Sequence, residues 1–182
     1  MARIPAEERL WSARCRLRQP SEADIEHVFS ATRVPGFNEG MRWDPPSAIE
    51  ELVLPLRHNR EDWERGTSYS FSVESRDGRV FIGRSQLRRE PGPRTWTLGF
   101  WTHPQQQGRG YASEAAAALV DFGFQRLGAR TIAGAHATWN EASAKVLLRL
   151  GMRFVRTNPR GFRKHGAWVA EHEYELRAPD QG

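Results

Sequence analysis

A glycine-containing turn between a strand and a long apolar helix constrains this chain more than any other feature of its sequence. Thr95–Thr102 has the composition of a strand, and Gly108–Leu127 carries apolar residues around most of a helix. Between them lies Gln105–Gly110, which contains two glycines. Glycines let a ligand approach the backbone closely, and the first N–H groups of a helix have no internal acceptor. The turn is therefore suited to bind phosphate.

Two well-known phosphate-binding patterns do not fit this turn. A Walker loop needs a lysine after its last glycine, and none follows Gly108 or Gly110. A dinucleotide fingerprint needs a third glycine where Ser113 stands and an acidic residue near Arg130. The turn must therefore serve another phosphate-containing ligand.

The rest of the chain alternates between strand and helix patterns, which predicts one mixed α/β (α+β) domain over residues 10–178. We expect a mostly antiparallel central sheet of about seven strands flanked by about four helices. The predicted strands are Arg14–Arg18, Ser68–Glu74, Val80–Leu87, Thr95–Thr102, Thr131–Ala137, Met152–Thr157 and Trp168–Arg177. The predicted helices begin at Ser21, at Ser47 (with an interruption at Pro55), at Gly108 and at Asn140, and residues 34–46 form a loop.

Composition narrows the functional classes. The single cysteine, Cys15, rules out an internal disulfide and suits a buried core thiol, and the scattered histidines suggest no metal site. Residues 1–13 lack an apolar secretion segment, and no later run is long and apolar enough for a membrane span. We therefore expect a cytoplasmic protein without a membrane partner.

The residues in and after this turn form a recognisable motif. Gln105, Gly108 and Gly110 fill the pattern Gln-x-x-Gly-x-Gly/Ala, and Asn140–Ser143 opens the next helix before Leu147–Phe154. In these features the sequence resembles the GNAT superfamily of acetyl-coenzyme A-dependent N-acetyltransferases. It is most similar to the RimJ/RimL branch, whose known members acetylate protein amino termini. The resemblance implies the GNAT fold and acetyl-coenzyme A (acetyl-CoA) as cofactor.

The resemblance also implies roles for individual residues. The backbone of Trp101, Thr102 and His103 would bind the pantetheine arm. The pyrophosphate would lie on the segment Gln107, Gly108, Arg109, Gly110, Tyr111 and Ala112. Arg109 either adds a charged contact or points to solvent. Asn140 would contact coenzyme A, although asparagine is also a preferred helix N-cap, and Ser143 would hydrogen-bond the departing sulfur as the catalytic residue.

The general base is an open question. The family commonly has a glutamate where Thr97 stands, and Phe100 lacks a hydroxyl often found at its position. The remaining candidates are ordered water or one of the side chains Glu74, Glu171, Glu173 and His136. Deprotonating an α-amine at pH 7 costs only about 1 kcal/mol, against about 4.6 kcal/mol for lysine. The missing glutamate therefore favours a protein or peptide amino terminus as the acceptor.

Two other functions are compatible with the sequence. A small-molecule acetyltransferase acting on an aminoglycoside or polyamine would use the acidic residues Glu39, Asp44, Glu50, Glu51, Glu61, Asp62 and Glu64. A non-catalytic nucleic-acid or ribosome-binding module would use the basic segment Arg153, Arg156, Arg160, Arg163 and Lys164, with Phe162 and Trp168. We expect no nucleic-acid partner. The sequence leaves open whether the chain forms a homodimer and which acyl chain it transfers.

Overall fold

A computed structural model describes residues 4–179 of the chain. Its strands are β1 (Arg9–Trp11), β2 (Cys15–Arg18), β3 (Ser68–Ser75), β4 (Phe81–Arg89), β5 (Thr95–Thr102), β6 (Thr131–Ala137), β7 (Arg153–Lys164) and β8 (Ala167–Arg177). Its α-helices are α1 (Ile25–Thr32), α2 (Val53–Arg65), α3 (Tyr111–Gln125) and α4 (Glu141–Arg149). No helix within residues 4–179 is both long enough and apolar enough to cross a membrane.

The strands form one sheet in the order β1-β2-β3-β4-β5-β6-β8-β7. Every neighbouring pair is antiparallel except β5 and β6, which run parallel at the centre. This confirms the predicted mixed, mostly antiparallel sheet and the four helices. The sheet has one strand more than predicted, because β1 is only three residues long and too short to show an alternating pattern.

Helix α3 packs against one face of the sheet and is buried on more than one side, as its apolar circumference predicted. Gly123 lies where the helix comes closest to the strands. A Cβ there would be 2.8 Å from Ile132 Cδ1 and 2.9 Å from Leu87 Cδ1. Glycine at this position therefore lets the helix pack closely against β4 and β6.

The opposite face of β3 carries serines that are also buried. Ser70 and Ser72 are covered by polar groups of α2 and the start of α1, since their hydroxyls donate to Asn59 Oδ1 (3.3 Å) and Asp24 Oδ2 (2.7 Å). Asp24 also completes a capping box with Ser21 at the beginning of α1, as the sequence predicted. The core is thus apolar beneath α3, where Trp63 of α2 also joins it, and a polar cluster lies on the other face at the start of α1.

Three local predictions need correction. The stretch left between the predicted strands Met152–Thr157 and Trp168–Arg177 is not a loop but belongs largely to β7, which continues to Lys164 through two irregularities before turning at His165–Gly166. Pro55 does not interrupt a helix, because α2 begins at Val53 and the proline falls in the first turn, where its missing N–H has no acceptor to lose. Helix α3 begins at Tyr111 rather than Gly108.

Candidate active site

A gap opens between the two parallel strands at the centre of the sheet. Strands β5 and β6 pair only through Thr95–Thr97 and Thr131–Ala133. Both strands then continue, β5 to Thr102 and β6 to Ala137, without further pairing to each other. The backbone groups that β5 turns toward β6 beyond Thr97 are therefore not used within the sheet.

The hydrogen bonds of β5 with β4 show which backbone groups face this gap. The His103 N–H donates to the Ile82 carbonyl (2.7 Å), and the Trp101 carbonyl lies so close to Gly83 that no Cβ fits there. By the alternation of an antiparallel ladder, Phe100 and Thr102 face the gap. Of the three residues predicted to offer their backbone, Thr102 is the one directed at the gap, while Trp101 and His103 face β4.

The His103 side chain has a structural place. Its Nε2 lies 3.1 Å from Ser30 Oγ, and its Nδ1 accepts the Gln105 N–H (3.3 Å), which caps a short turn after β5. Burial, with a smaller effect from His27, lowers the pKa of His103. The ring therefore ties α1 to the end of β5 and stays neutral near pH 7.

The turn before α3 presents a row of N–H groups without acceptors. Gly108 and Gly110 have φ of +75° and +80°, a conformation that glycine adopts readily. None of the N–H groups of residues 108–113 has a hydrogen-bond acceptor among residues 4–179. With the positive end of the α3 dipole, such free donors are of the kind that bind an anion. Gln107 adds a contact from its Nε2 to the Thr102 carbonyl (3.2 Å).

A brace that the sequence did not reveal holds this turn in place. Glu114 accepts hydrogen bonds from Ser12 Oγ (2.7 Å), the Arg14 N–H (2.6 Å) and Arg14 Nε (2.8 Å). Although burial opposes it, these bonds lower the pKa of Glu114. Arg14 also donates to the Arg109 carbonyl (3.1 Å) and lies over the Tyr111 ring. Its partners are about a hundred residues away in sequence, so no local pattern marks it.

Asn140 and Ser143 lie together at the start of α4. Asn140 is the N-cap, and its Oδ1 accepts the Ser143 N–H (3.1 Å). The Ser143 side chain is half-buried, and its hydroxyl has no hydrogen-bond partner within residues 4–179. The Arg109 side chain is exposed and reaches Gln106 Oε1 (3.2 Å).

One loop, residues 33–48, spans the gap on the face opposite α3. Phe37 packs edge-on against Trp101 of β5, with ring centroids 5.4 Å apart. Arg42 pairs with Glu171 of β8 (2.6 Å), and Asp44 pairs with Lys164 beside the β7–β8 turn (2.7 Å). A cavity of about 460 Å³ opens beside this loop. The turn before α3 and this loop thus belong to opposite faces of the sheet.

Of the four side chains considered as bases, three have their polar atoms committed elsewhere. Glu74 is bound by Arg16 and Arg18. His136 is buried, with its ring nitrogens next to the Ala137 carbonyl (2.8 Å) and the Tyr174 hydroxyl (3.4 Å). Glu173 accepts from Arg156 (2.7 Å) and Asn158 (3.0 Å), and these contacts lower its pKa despite partial burial.

Glu171 differs from the other three. It is buried, and burial raises its pKa although Arg42 opposes the shift. It lies opposite Ala137 of β6, on the face covered by the 33–48 loop. A carboxylate with a raised pKa accepts a proton more readily, which suits a general base.

Thr97 is engaged by another carboxylate. Its hydroxyl donates to Glu90 Oε1 (2.9 Å), which also accepts from Arg88 (3.0 Å). Glu90 lies in the connection between β4 and β5 and was not among the candidate bases. The structure therefore holds a carboxylate near Thr97 by a tertiary contact.

The charged segments behind the alternative functions are largely solvated or paired internally. In the acidic region Glu39, Glu50, Glu51 and Glu64 are exposed, and Asp62 pairs with Arg65 (2.9 Å). In the basic segment Lys164 and Phe162 are buried, and Arg156 pairs with Glu173. Neither segment lines the gap as a continuous charged surface. Within residues 4–179, no three His, Cys, Asp or Glu side chains converge as metal ligands would.

Comparison with known proteins agrees with this architecture. Residues 14–153 match the model of the acetyltransferase (GNAT) domain. The chain is 31% identical over 110 residues to the uncharacterized N-acetyltransferase YnaD of Bacillus subtilis, a match that covers 58% of this chain and 62% of YnaD. The matched part is therefore less than two thirds of the length of YnaD.

Solved structures share the fold. Mycobacterium smegmatis RimJ in complex with CoA-disulfide superposes with a TM-score of 0.83 at 20% identity, covering 94% of this chain and 88% of RimJ. RimL, described as a ribosomal L7/L12 alpha-N-protein acetyltransferase in complex with coenzyme A, gives 0.84 at 18% identity, covering 93% of this chain and 98% of RimL.

Proposed function

This chain belongs to the acetyltransferase (GNAT) family, and from that premise we propose that it transfers the acetyl group of acetyl-CoA to the α-amine of a protein or peptide amino terminus. The observation that carries the proposal is the gap between β5 and β6 with the free N–H groups of residues 108–113 at its mouth. Family membership gives the reaction class, an acetyl-CoA-dependent acetyl transfer. We assign residues 10–178 to a single domain.

The cofactor fits the residues present. Acetyl-CoA supplies a thioester carbonyl that is already activated toward an amine. The N–H groups of residues 108–113 bind its diphosphate, and the backbone of Thr102 and Phe100 orients the pantetheine arm in the gap. Asn140, the N-cap of α4, contacts coenzyme A in this proposal.

Two side chains take part in this scheme, one as the base and one as a hydrogen-bond donor. Glu171 takes the proton from the attacking amine on the side of the 33–48 loop. Ser143 donates its hydroxyl hydrogen bond to the departing sulfur. The amine attacks directly in a complex of enzyme and both substrates, so no acylated residue of the chain is required.

Three observations favour an α-amine over a lysine or polyamine acceptor. Thr97 stands where a stronger base is common, so an acceptor that is already partly neutral reacts more readily. Arg42 pairs with Glu171 and opposes the rise of its pKa, so Glu171 is a weaker base than an unpaired buried glutamate. The acidic side chains that a polycation would need are exposed or paired.

The test compares two peptides of matched sequence. One has an unblocked amino terminus and no lysine, and the other has a blocked amino terminus and one lysine. Thiol release from acetyl-CoA should be at least about tenfold faster with the first, since the costs of deprotonation differ by several kcal/mol. Equal rates, or a preference for lysine or a polyamine, would reject the α-amine acceptor and leave the acetyl transfer itself intact.

A further inference from the structure

The sheet face beneath α1 holds more positive than negative charge. It contains two carboxylates, Asp24 and Glu74, which are both buried. It contains three guanidinium groups, those of Arg16, Arg18 and Arg84, all less than fully exposed. Charges in a protein interior are normally paired.

Both carboxylates are fully committed to two of the arginines. Asp24 accepts two hydrogen bonds from Arg18 (2.7 and 2.9 Å), one from Ser72 Oγ (2.7 Å) and one from the Ser21 N–H (2.8 Å). These bonds lower the pKa of Asp24 although its burial opposes them. Glu74 is bound by Arg16 and by Arg18. No carboxylate remains for Arg84.

The third arginine has no partner. Arg84 Nε is buried without a hydrogen-bond acceptor, and no ion pair or hydrogen bond joins its guanidinium to residues 4–179. Burial lowers its pKa, and the nearby charge of Asp24 only partly compensates. Leaving a buried charged donor unpaired costs several kcal/mol, so the group is expected to gain a partner in the working enzyme.

The position of Arg84 indicates what that partner is. It stands in β4 between Ser72 of β3 and Trp101 of β5, so its side chain lies on the face of α1 and the 33–48 loop, the acceptor side in the proposed function. One strand, β5, stands between β4 and the gap, so the middle of the gap lies roughly 7 Å from β4. A carboxylate a few bonds from the reacting amine spans that distance.

We infer that Arg84 is a specificity residue that binds a carboxylate on the acceptor, close to its amine. The inference rests on the proposed function. A guanidinium presents a planar fork of donors that matches a carboxylate. The carboxylate is the side chain of Asp or Glu at the first or second residue of a peptide, or the α-carboxylate of a free amino acid. The same cation disfavours polyamines.

The first experiment measures kcat/KM for peptides that differ only in having Glu or Gln at position 1 or 2, with free glutamate and its amide as a separate arm. Wild type should prefer the acidic member by about 10- to 100-fold, the value of one charged hydrogen-bond pair. Arg84→Met should bring the ratio near one, and Arg84→Lys should keep part of it. The arm that shows the preference identifies the source of the carboxylate.

The second experiment measures thermal unfolding without acceptor. Because no ion pair is broken, Arg84→Met should melt at or above the wild-type temperature, whereas Arg18→Met, which removes two ion pairs, should melt well below it. A preference that survives Arg84→Met, no preference in wild type, or a large loss of stability in Arg84→Met would overturn the inference. If no α-amine is acetylated at all, the proposed function fails with it; if α-amines react without regard to charge, only the inference fails.

Discussion

Replacing Gly108 by alanine tests the anion site at the mouth of the gap, and Gly128 offers a matched control. Both glycines have positive φ, +75° and +61°, and in both cases a Cβ would meet no atom within 4 Å. Gly108 precedes the start of α3, and Gly128 follows its end. The helix has 15 residues and is therefore about 22 Å long, which separates the two sites.

The two substitutions should cost the same stability. Alanine in the left-handed conformation costs about 1 to 2 kcal/mol, and no steric clash adds to it at either site. In a domain of this size, each variant should melt roughly 2 to 8 °C below wild type. Calorimetric or fluorescence unfolding without ligand measures this.

Only Gly108→Ala should weaken coenzyme A binding. A methyl group at Gly108 stands where the diphosphate approaches the row of free N–H groups, and the loss of one charged hydrogen bond costs about 1.5 to 3 kcal/mol. The Kd for coenzyme A, measured by titration calorimetry, should rise roughly 10- to 100-fold, while Gly128→Ala keeps the wild-type value. An unchanged Kd in Gly108→Ala, or equal losses in both variants, would refute the placement of the diphosphate on this turn.

Three further predictions concern single side chains. Ser143→Ala should lower kcat about 100-fold with little change in the KM for acetyl-CoA, because the backbone N–H that Asn140 caps is retained; an unchanged kcat would remove Ser143 from the reaction. The pKa of Glu171 is raised in the folded protein, so the acid limb of the kcat/KM profile should lie at a higher pH than the pKa of an ordinary glutamate. Glu171→Gln should abolish that limb. Because this pKa is higher in the folded than in the unfolded chain, Glu171 stabilises the fold fully below its unfolded pKa, and this stabilisation is lost as the pH rises through its folded pKa. Glu171→Gln should therefore not melt at a lower temperature than wild type at pH 7. Asp24→Asn should cost about 3 kcal/mol; the lowered pKa of Asp24 gives stability above the unfolded pKa that is lost as the pH falls through the folded pKa, and an unaltered acid-unfolding midpoint in the variant would contradict this.

Local patterns predicted most of the elements. β5 and β6 begin and end at the predicted residues, and α4 begins behind its predicted cap, Asn140. These elements are marked by period-two or helical spacing and by residues that favour particular ends. The errors occurred where short-range signals are weak, as in β1, or where a basic segment resembled a loop although it pairs as part of β7.

The candidate site divides in the same way. The glycine turn, Asn140 and Ser143 lie in contiguous motifs, so the sequence alone was enough to place the turn before α3 and the two side chains at the start of α4. Sequence spacing could not show that β5 and β6 part after Thr97, nor which backbone groups then face the gap, since both depend on the pairing of strands distant in the chain.

What the sequence determined by itself is therefore the set of elements and the chemistry of one turn, because these depend on backbone preferences over a few residues. The tertiary structure decided which charges are paired. Glu114 meets Arg14, Glu171 meets Arg42, and Arg84 meets no carboxylate. The energy of a charge depends on its neighbours and its exposure to water, and both are set only when distant segments pack together.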